Sequence, residues 1–326
     1  MDLAETTRSP LSGPFFTIAI TAYNRETEIE RCLESCFRQD FSDFEVVVVD
    51  DGSTDGTAAV LQERWEPRIR LFRHPTNQGT NPSRHTAVSQ ARGEWVVVLD
   101  SDDELVPHSL RRLHEIIDEL PPDVRVVRGR YLWNDGQVTP RFVPDGPIGY
   151  VGRIQWVEQE GGHDDLHCVH RSVFARTPYI RGRRGPIETL WELDLARNEL
   201  VLYVEEVLAL AHNTAVNSIL RSVDRRELVP RLLAEAEDVL WVMETTLRRH
   251  GDALRKHGPG QYREILRIAA EQAFLVNERR KALRYVRDCA RCARPNFMLG
   301  ATLALGLAGP KALAHGAWAG RRLGIA

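Results

Sequence analysis

Two runs of this sequence, Phe44–Asp51 (FEVVVVDD) and Glu94–Asp100 (EWVVVLD), most restrict what the chain can fold into. Each has an unbroken block of β-branched and aliphatic residues, with no polar alternation, and each ends in aspartate. A strand without alternation has no solvent face, so it belongs to a sheet covered on both sides, as parallel sheets are. Residues 16–23 (FTIAITAY) read as another such strand. Between the strands lie helical patterns. Ile29, Cys32, Leu33, Cys36 and Phe37 form one apolar face of a helix from about Glu26 to Gln39. GSTDGT (Gly52–Thr57) is a turn rich in helix N-cap residues, followed by a helix to about Trp65 and a strand near Ile69–Arg73. Further helices are expected at about Ser83–Arg92 and after Pro107, the latter carrying Leu110, Leu113, Ile116, Ile117 and Leu120 on one face.

This β-α repetition predicts an α/β fold, a doubly wound, mostly parallel sheet flanked by helices with right-handed crossovers. Ligands of such sheets bind beyond the carboxyl ends of the strands, where Asp50, Asp51, Asp100 and Asp102 lie. Strands follow near 124–133 and 200–210. Beyond about Leu220 the chain turns helical, with one helix marked by Leu228 to Met243 and a second from about Tyr262 to Arg291. The organisation is therefore read as a tail (1–14), an α/β domain (15–215, with halves at 15–120 and 121–215), and a helical C-terminal region (216–326).

The 326 residues carry a net charge of −3, which gives no overall bias toward nucleic acid. Five cysteines, an odd and sparse set, argue against a disulfide framework and for a reducing compartment. Cys289 and Cys292 form a CxxC without a second ligand pair, so they read as structural before they read as half a zinc site. The N-terminal residues have no apolar core of a secretory signal. Phe297–Gly309 is apolar but shorter than the roughly twenty residues a spanning helix needs. The expected location is the cytoplasm.

Three stretches together carry a family resemblance: TAYNRE (Thr21–Glu26) followed by VVVVDDGSTDGT (Val46–Thr57), NQGTNPSRH (Asn77–His85), and ARGEWVVVLDSDDELVP (Ala91–Pro107). They resemble the family 2 glycosyltransferases of GT-A fold. The resemblance is strong over 16–120, weak over 121–212 and nearly absent beyond; Ser83 and His85 stand where that family has alanine and asparagine. It implies an inverting transfer of a sugar from a nucleotide-sugar donor, UDP-linked by family habit, to a glycan, lipid-linked or protein acceptor, in cell-surface glycan or polysaccharide synthesis. It further implies that Asp51 reads the base, that Thr21, Tyr23 and Arg25 line the nucleotide pocket, that Asp100 meets the ribose and that Asp102 holds a divalent cation, Mn²⁺ or Mg²⁺.

The residues support this chemistry independently. A departing diphosphate develops negative charge, and a hard cation on carboxylate oxygen neutralises it. Asp103 and Glu104 add acid to the same loop, leaving the metal-binding oxygen open between them. Arg84 faces either the nucleotide or the solvent. Taken alone, Asp51 and Ser53 would serve equally as helix caps.

The acceptor hydroxyl needs a base, which the resemblance seeks in a Glu-Asp pair at a helix start. Arg184–Ala196 (RGPIETLWELDLA) offers Glu188, with Thr189 in place of the second acid. Glu188 is the expected base. Glu192 shares its helix face at i+4, and Glu192 and Asp194 are expected to make surface contacts. GGHDDLH (Gly161–His167) is a polar acceptor-side loop or a second metal site, and His212 lies near the diphosphate or on the surface.

Seven basic residues between Arg279 and Arg294 precede the apolar stretch 297–309. This suits either peripheral contact with the inner face of a membrane or a helix packed on the protein with a solvated basic face. Two rival functions lack their first loop. A dinucleotide-binding oxidoreductase needs GxGxxG and a nucleotidyltransferase a Gly-rich, lysine-bearing turn, but this turn reads TAYNRE. The remaining alternative is a non-catalytic nucleotide-sugar-binding or scaffold protein with a decayed active site.

Overall fold

The computed structural model describes residues 13–161, 164–183, 188–212, 225–292 and 297–322. The elements run β1 (Phe16–Ala22), α1 (Ile29–Phe37), β2 (Phe44–Asp50), α2 (Thr57–Val60, continued by a π-helical turn to Trp65), β3 (Arg70–Arg73), α3 (Thr80–Gln90), β4 (Trp95–Asp100), β5 (Glu104–Leu105) and α4 (Ser109–Asp118). They continue as β6 (Val124–Trp133), β7 (Val138–Thr139), α5 (Tyr150–Glu160), β8 (Leu166–His170), α6 (Ser172–Arg176), α7 (Glu188–Asn198) and β9 (Leu200–Ala211). The helical region comprises α8 (Arg225–His257), α9 (Pro259–Leu275), α10 (Arg279–Cys292), α11 (Phe297–Ala308) and α12 (Pro310–Arg322).

One sheet orders the strands β3-β2-β1-β4-β8-β6-β9-β5, with β7 paired to β6. The first four are parallel, and β8 runs antiparallel to both β4 and β6. Ile18, Ile20, Val46, Val48, Val97 and Leu99 pack on one face beneath α1 and α4. Ala19, Val47, Val49, Val96 and Val98 pack on the other, against α3 residues Ala87 and Val88. Both faces of the valine runs are thus covered, which is why the runs themselves hold no polar residue.

A third core joins the helical region to the sheet half. Ile154 of α5 and Leu190 and Leu193 of α7 are buried among residues of α8, α9 and α10. The single long helix expected from Tyr262 to Arg291 is two helices. Asn277 adopts a left-handed conformation with φ 62°, and Glu278 N–H donates back to the Ala273 carbonyl at 2.7 Å. Asparagine tolerates that conformation better than most residues, so it ends α9 without glycine or proline.

Candidate functional site

The parallel register sets one end of the site. Thr21 of β1 lies opposite Val49 of β2 on one side and Asp100 of β4 on the other, and Ala22 lies opposite Asp50. Thr21, Val49 and Asp100 therefore form one row at the carboxyl ends of three adjacent strands, with Ala22 and Asp50 one position beyond it. Beyond that row the TAYNRE and DDGSTDGT loops are joined. Asn24, at φ 53°, accepts from Thr54 N–H through Oδ1 at 2.8 Å, and its own N–H donates to Ser53 Oγ. Arg25 N–H donates to Thr57 Oγ1 at 2.7 Å, and Glu26 Oε2 accepts from Gly56 N–H at 2.6 Å. Tyr23 is left exposed beside them.

Asp50 and Asp51 are both buried. Asp50 accepts from Ser53 N–H and pairs with Arg73, each at 3.0 Å, so it holds the turn after β2 and does not cap α2, which starts at Thr57. Asp51 instead grips the loop before α3. Its Oδ1 accepts from Gln78 N–H at 3.0 Å and lies 2.7 Å from His74 Nδ1, while Oδ2 accepts from Gly79 N–H at 2.8 Å. Gly52 makes this approach feasible: its φ is +71°, and a Cβ there would lie 2.7 Å from the Thr76 carbonyl carbon. Of the roughly four lone-pair directions of the Asp51 carboxylate, these bonds among the described residues leave one on Oδ2 open.

Acidic residues crowd the end of β4. Burial, then the charge of Asp100, raises the Asp102 carboxyl above its ordinary range against the opposing pull of Arg25, whose Nη2 is 3.5 Å away. Burial with Asp100 and Asp102 pushes Asp103 up to about 8. Asp100 goes the other way: burial would raise it, but Arg84, His167 and Arg25 outweigh that and hold it below the usual carboxylate range. Glu104 is committed elsewhere, at 3.2 Å from Arg31 Nε and 2.9 Å from His212 Nε2. His212 also donates its N–H to Asp103, so this histidine is tied to the acidic loop.

Such uncompensated carboxylate oxygens fit a hard divalent cation. Among the described residues no three His, Cys, Asp or Glu side chains converge as a ligand set. The fit is therefore to one protein carboxylate with the shell completed by phosphate and water.

Arg84 joins the two ends of the site. Its side chain is 12 % exposed; Nη2 donates to Asp100 Oδ1 at 2.8 Å and Nη1 to Glu188 Oε1 at 2.9 Å. It is not a solvated helix-start arginine. Glu188, the first residue of α7, is thereby brought to the end of β4. Both acids line a cavity of about 470 Å³ that also takes in Asp102, Asp164, Glu192 and His212.

The far wall of the cavity is a buried ionic cluster. Val98, His167 and Arg128 lie side by side across β4, β8 and β6, with Tyr203 of β9 next in the row. Arg128 is in phase with buried Val126, so its side chain points into the core and survives there only by pairing. It donates to Asp165 Oδ1 at 2.9 Å and to both oxygens of Glu192 at 2.8 and 2.9 Å. Arg153 Nη2 approaches Glu192 at 3.6 Å, and His167 Nε2 lies 3.2 Å from Asp165.

Neither Glu192 nor Asp194 makes the surface contacts expected of it. Burial would raise Glu192, yet Arg128, His167 and Arg153 hold it below its ordinary range. Asp194 binds α8 through His250 Nε2 at 3.0 Å and Arg249 Nη1 at 2.5 Å. Sequence reasoning missed Arg128 and Arg153; the phase of Arg128 with Val126 was the available signal.

Asp164 and Asp165 both line the cavity. Burial, with Asp100, Glu188 and Asp165, raises Asp164 to about 6. His163, residues 184–187 and Arg294 lie outside the described residues. Cys289 is buried and Cys292 exposed, and both are free thiols. The helical region reaches the cavity through Gln261 of α9. Glu158 of α5 caps that helix, accepting from Gly260 N–H at 2.6 Å and Gln261 N–H at 3.0 Å.

Residues 17–176 match the family described as Glycosyl transferase family 2. This segment belongs to that family. Among relatives, the succinoglycan biosynthesis protein ExoO of Rhizobium meliloti is 40 % identical over 113 residues, 35 % of this chain and 32 % of that protein. The GalNAc(5)-diNAcBac-PP-undecaprenol β-1,3-glucosyltransferase of Campylobacter jejuni is 35 % identical over 109 residues, 32 % of this chain and 35 % of that one. The chain thus spans only about a third of the length of these curated relatives. The fold is that of the GT-A glycosyltransferases. The structure of S. aureus TarS 1-349 in complex with UDP-GlcNAc is similar with a TM-score of 0.58 at 18 % identity, over 95 % of this chain and 92 % of that one. The mannosyltransferase PcManGT from Pyrobaculum calidifontis, in complex with GDP-Man and Mn²⁺, gives 0.53 at 17 %, over 98 % and 90 %.

Proposed function

We propose that this family 2 protein transfers a sugar from a nucleotide-sugar donor, a UDP-sugar, to a hydroxyl of a glycan, lipid-linked or protein acceptor, inverting the anomeric centre. The observation that carries the reading is the Arg84 bridge. Asp100 and Glu188 are 88 positions apart in sequence, yet both meet one guanidinium in one cavity. The donor end and a carboxylate at a helix start thus face the same space. The complex of TarS with UDP-GlcNAc supports the choice of a uridine donor. The roles of the relatives, succinoglycan biosynthesis and glucosyl transfer to an undecaprenol-linked glycan, support a place in surface-glycan synthesis at the inner face of a membrane.

In this reading Thr21, Tyr23 and Arg25 line the nucleotide pocket, Asp51 shapes it and offers its open lone pair to a base N–H, and Asp100 meets the ribose. Asp102 is the ligand for Mn²⁺ or Mg²⁺; when bound, that ion neutralises charge on the leaving diphosphate. Arg84 orients the donor end relative to Glu188. Glu188 takes the proton of the acceptor hydroxyl as it attacks opposite the departing nucleotide.

The test is Glu188→Gln. Turnover should fall on the order of 10²-fold or more, with the donor Kd unchanged, and NMR of the wild-type product should show the inverted anomer. Near-normal turnover in that variant, or retained configuration in the product, sinks the mechanism. Donor binding without any turnover in Mn²⁺ would mark a binding or scaffold protein instead.

A further inference from the structure

The basic residues before Phe297 are not used by the site. On α10 they fall into two sets. Ala282, Tyr285 and Cys289 are buried against the helical core. On the opposite side Arg280, Leu283, Arg284, Arg287 and Arg291 are all exposed. At 3.6 residues per turn these five occupy a stripe about 100° wide. The acids nearby are already engaged: Glu278 lies 2.5 Å from Lys281 Nζ and Asp288 lies 3.4 Å from Arg291 Nη1. Among the described residues, Arg280, Arg284 and Arg287 have no carboxylate within ion-pair distance.

The next helix, α11, packs against α10 and holds no charged residue. Leu299, Thr302 and Gly306 are buried, while Gly300, Ala304, Leu307 and Ala308 are exposed along its other side. Leu307 is 49 % exposed. No helix among the described residues is long and apolar enough to cross a membrane.

We propose that the arginine stripe of α10 and the apolar side of α11 form a docking surface for an anionic lipid bilayer, an inference that rests on the reading that the chain works at a membrane face. Cationic side chains meet lipid phosphates while leucine and alanine enter the boundary between headgroup and acyl chain. Each arginine near such a surface strengthens association roughly fivefold, so the stripe dominates, and binding is reversible and screened by salt. A second copy of the chain is a poorer occupant, because pairing through this stripe would oppose arginine with arginine. A soluble polyanion would use the stripe but leave α11 without a role. The placement also links lipid to acceptor: α9, whose first turn puts Gln261 in the cavity wall, is the helix on which α10 packs.

The experiment is sedimentation of the full chain with phosphatidylcholine vesicles, with and without phosphatidylglycerol. Association should require phosphatidylglycerol and weaken as salt rises. Combined Arg280→Glu, Arg284→Glu and Arg287→Glu should lower it on the order of 100-fold or more, with donor turnover in solution unchanged. Leu307→Glu should weaken vesicle binding without changing binding to inorganic polyphosphate. Equal sedimentation with both vesicle types overturns the proposal, as does an unaffected triple variant. Leu307→Glu binding vesicles like wild type, with polyphosphate bound as tightly, would assign the stripe to a soluble polyanion. Lost vesicle binding with intact turnover leaves the glycosyl-transfer reading standing; lost turnover with intact vesicle binding does the reverse.

Discussion

The two walls of the candidate site, donor and acceptor in the proposed reading, are built by different physics. The donor wall is held mainly by single hydrogen bonds between neighbouring loops, side-chain oxygens accepting from backbone N–H at Asn24, Glu26 and Asp51. The acceptor wall is held by charge against charge, with Arg128, Asp165, Glu192, Arg153 and His167 drawn from β6, α5, α7 and the start of β8. A wall of local hydrogen bonds keeps its shape when one ligand-facing acid changes. A wall of buried ions does not, since removing one partner strands another in a poorly solvated place.

The sharpest test of that contrast is Asp102→Ala. Turnover should fall on the order of 10³-fold, the several kcal/mol that a cation supplies to the leaving group. Burial and Asp100 both disfavour the charged form of Asp102, so the melting temperature should hold steady or rise. A large loss of stability would break the distinction between the walls.

Arg128→Met should behave in the opposite way. It leaves Asp165 and Glu192 without their shared cation and should cost about 3–5 kcal/mol of stability in urea titration, with the donor Kd little altered. A variant as stable as wild type would show that the cluster is not what holds the acceptor wall.

The smallest expected effect is on acid stability. Glu192 and Asp194 are both lowered in the folded protein. For Glu192, burial opposes the shift and Arg128 leads it; for Asp194, burial opposes it and His250 and Arg249 lead it. The unfolded chain therefore binds protons first as pH falls. The stabilisation is complete above the ordinary carboxylate range of about 4 and is lost as pH falls through the folded values. Melting temperature measured from pH 7 downward should decline in that window, and less steeply in Glu192→Gln. Identical slopes would remove Glu192 from the account.

The donor wall was legible in the sequence because its causes are local. Apolar runs, helical spacing and the two acidic strand ends sit within about a hundred consecutive residues, and the parallel register lines them up without further instruction. The acceptor wall was not legible, because the burial of Arg128 depends on partners 37 and 64 positions away. Strand β8, Leu166–His170, has two histidines and only five residues, so it carried too little apolar signal to separate from the polar loop before it. The acids of α7 misled for a related reason. A face rich in carboxylates ordinarily meets water, but Glu188 and Glu192 meet arginines that the fold brings to them. At Asn277 a lone asparagine was the one local mark of the helix break.

The docking of α9 on α5 has a consequence for the order in which the protein comes into being. Chains emerge from the ribosome amino end first and fold in units as they appear. The strands that lead into Asp51 and Asp102, and the one that ends on Asp100, are complete by residue 100. The helix that carries Glu188 cannot bury Leu190 and Leu193 until α8 and α9 have been made, and Glu158 waits for the amides of Gly260 and Gln261. A nascent chain therefore holds the residues proposed to bind a donor well before the proposed acceptor side is finished, and that side is completed only once the helical region has been made.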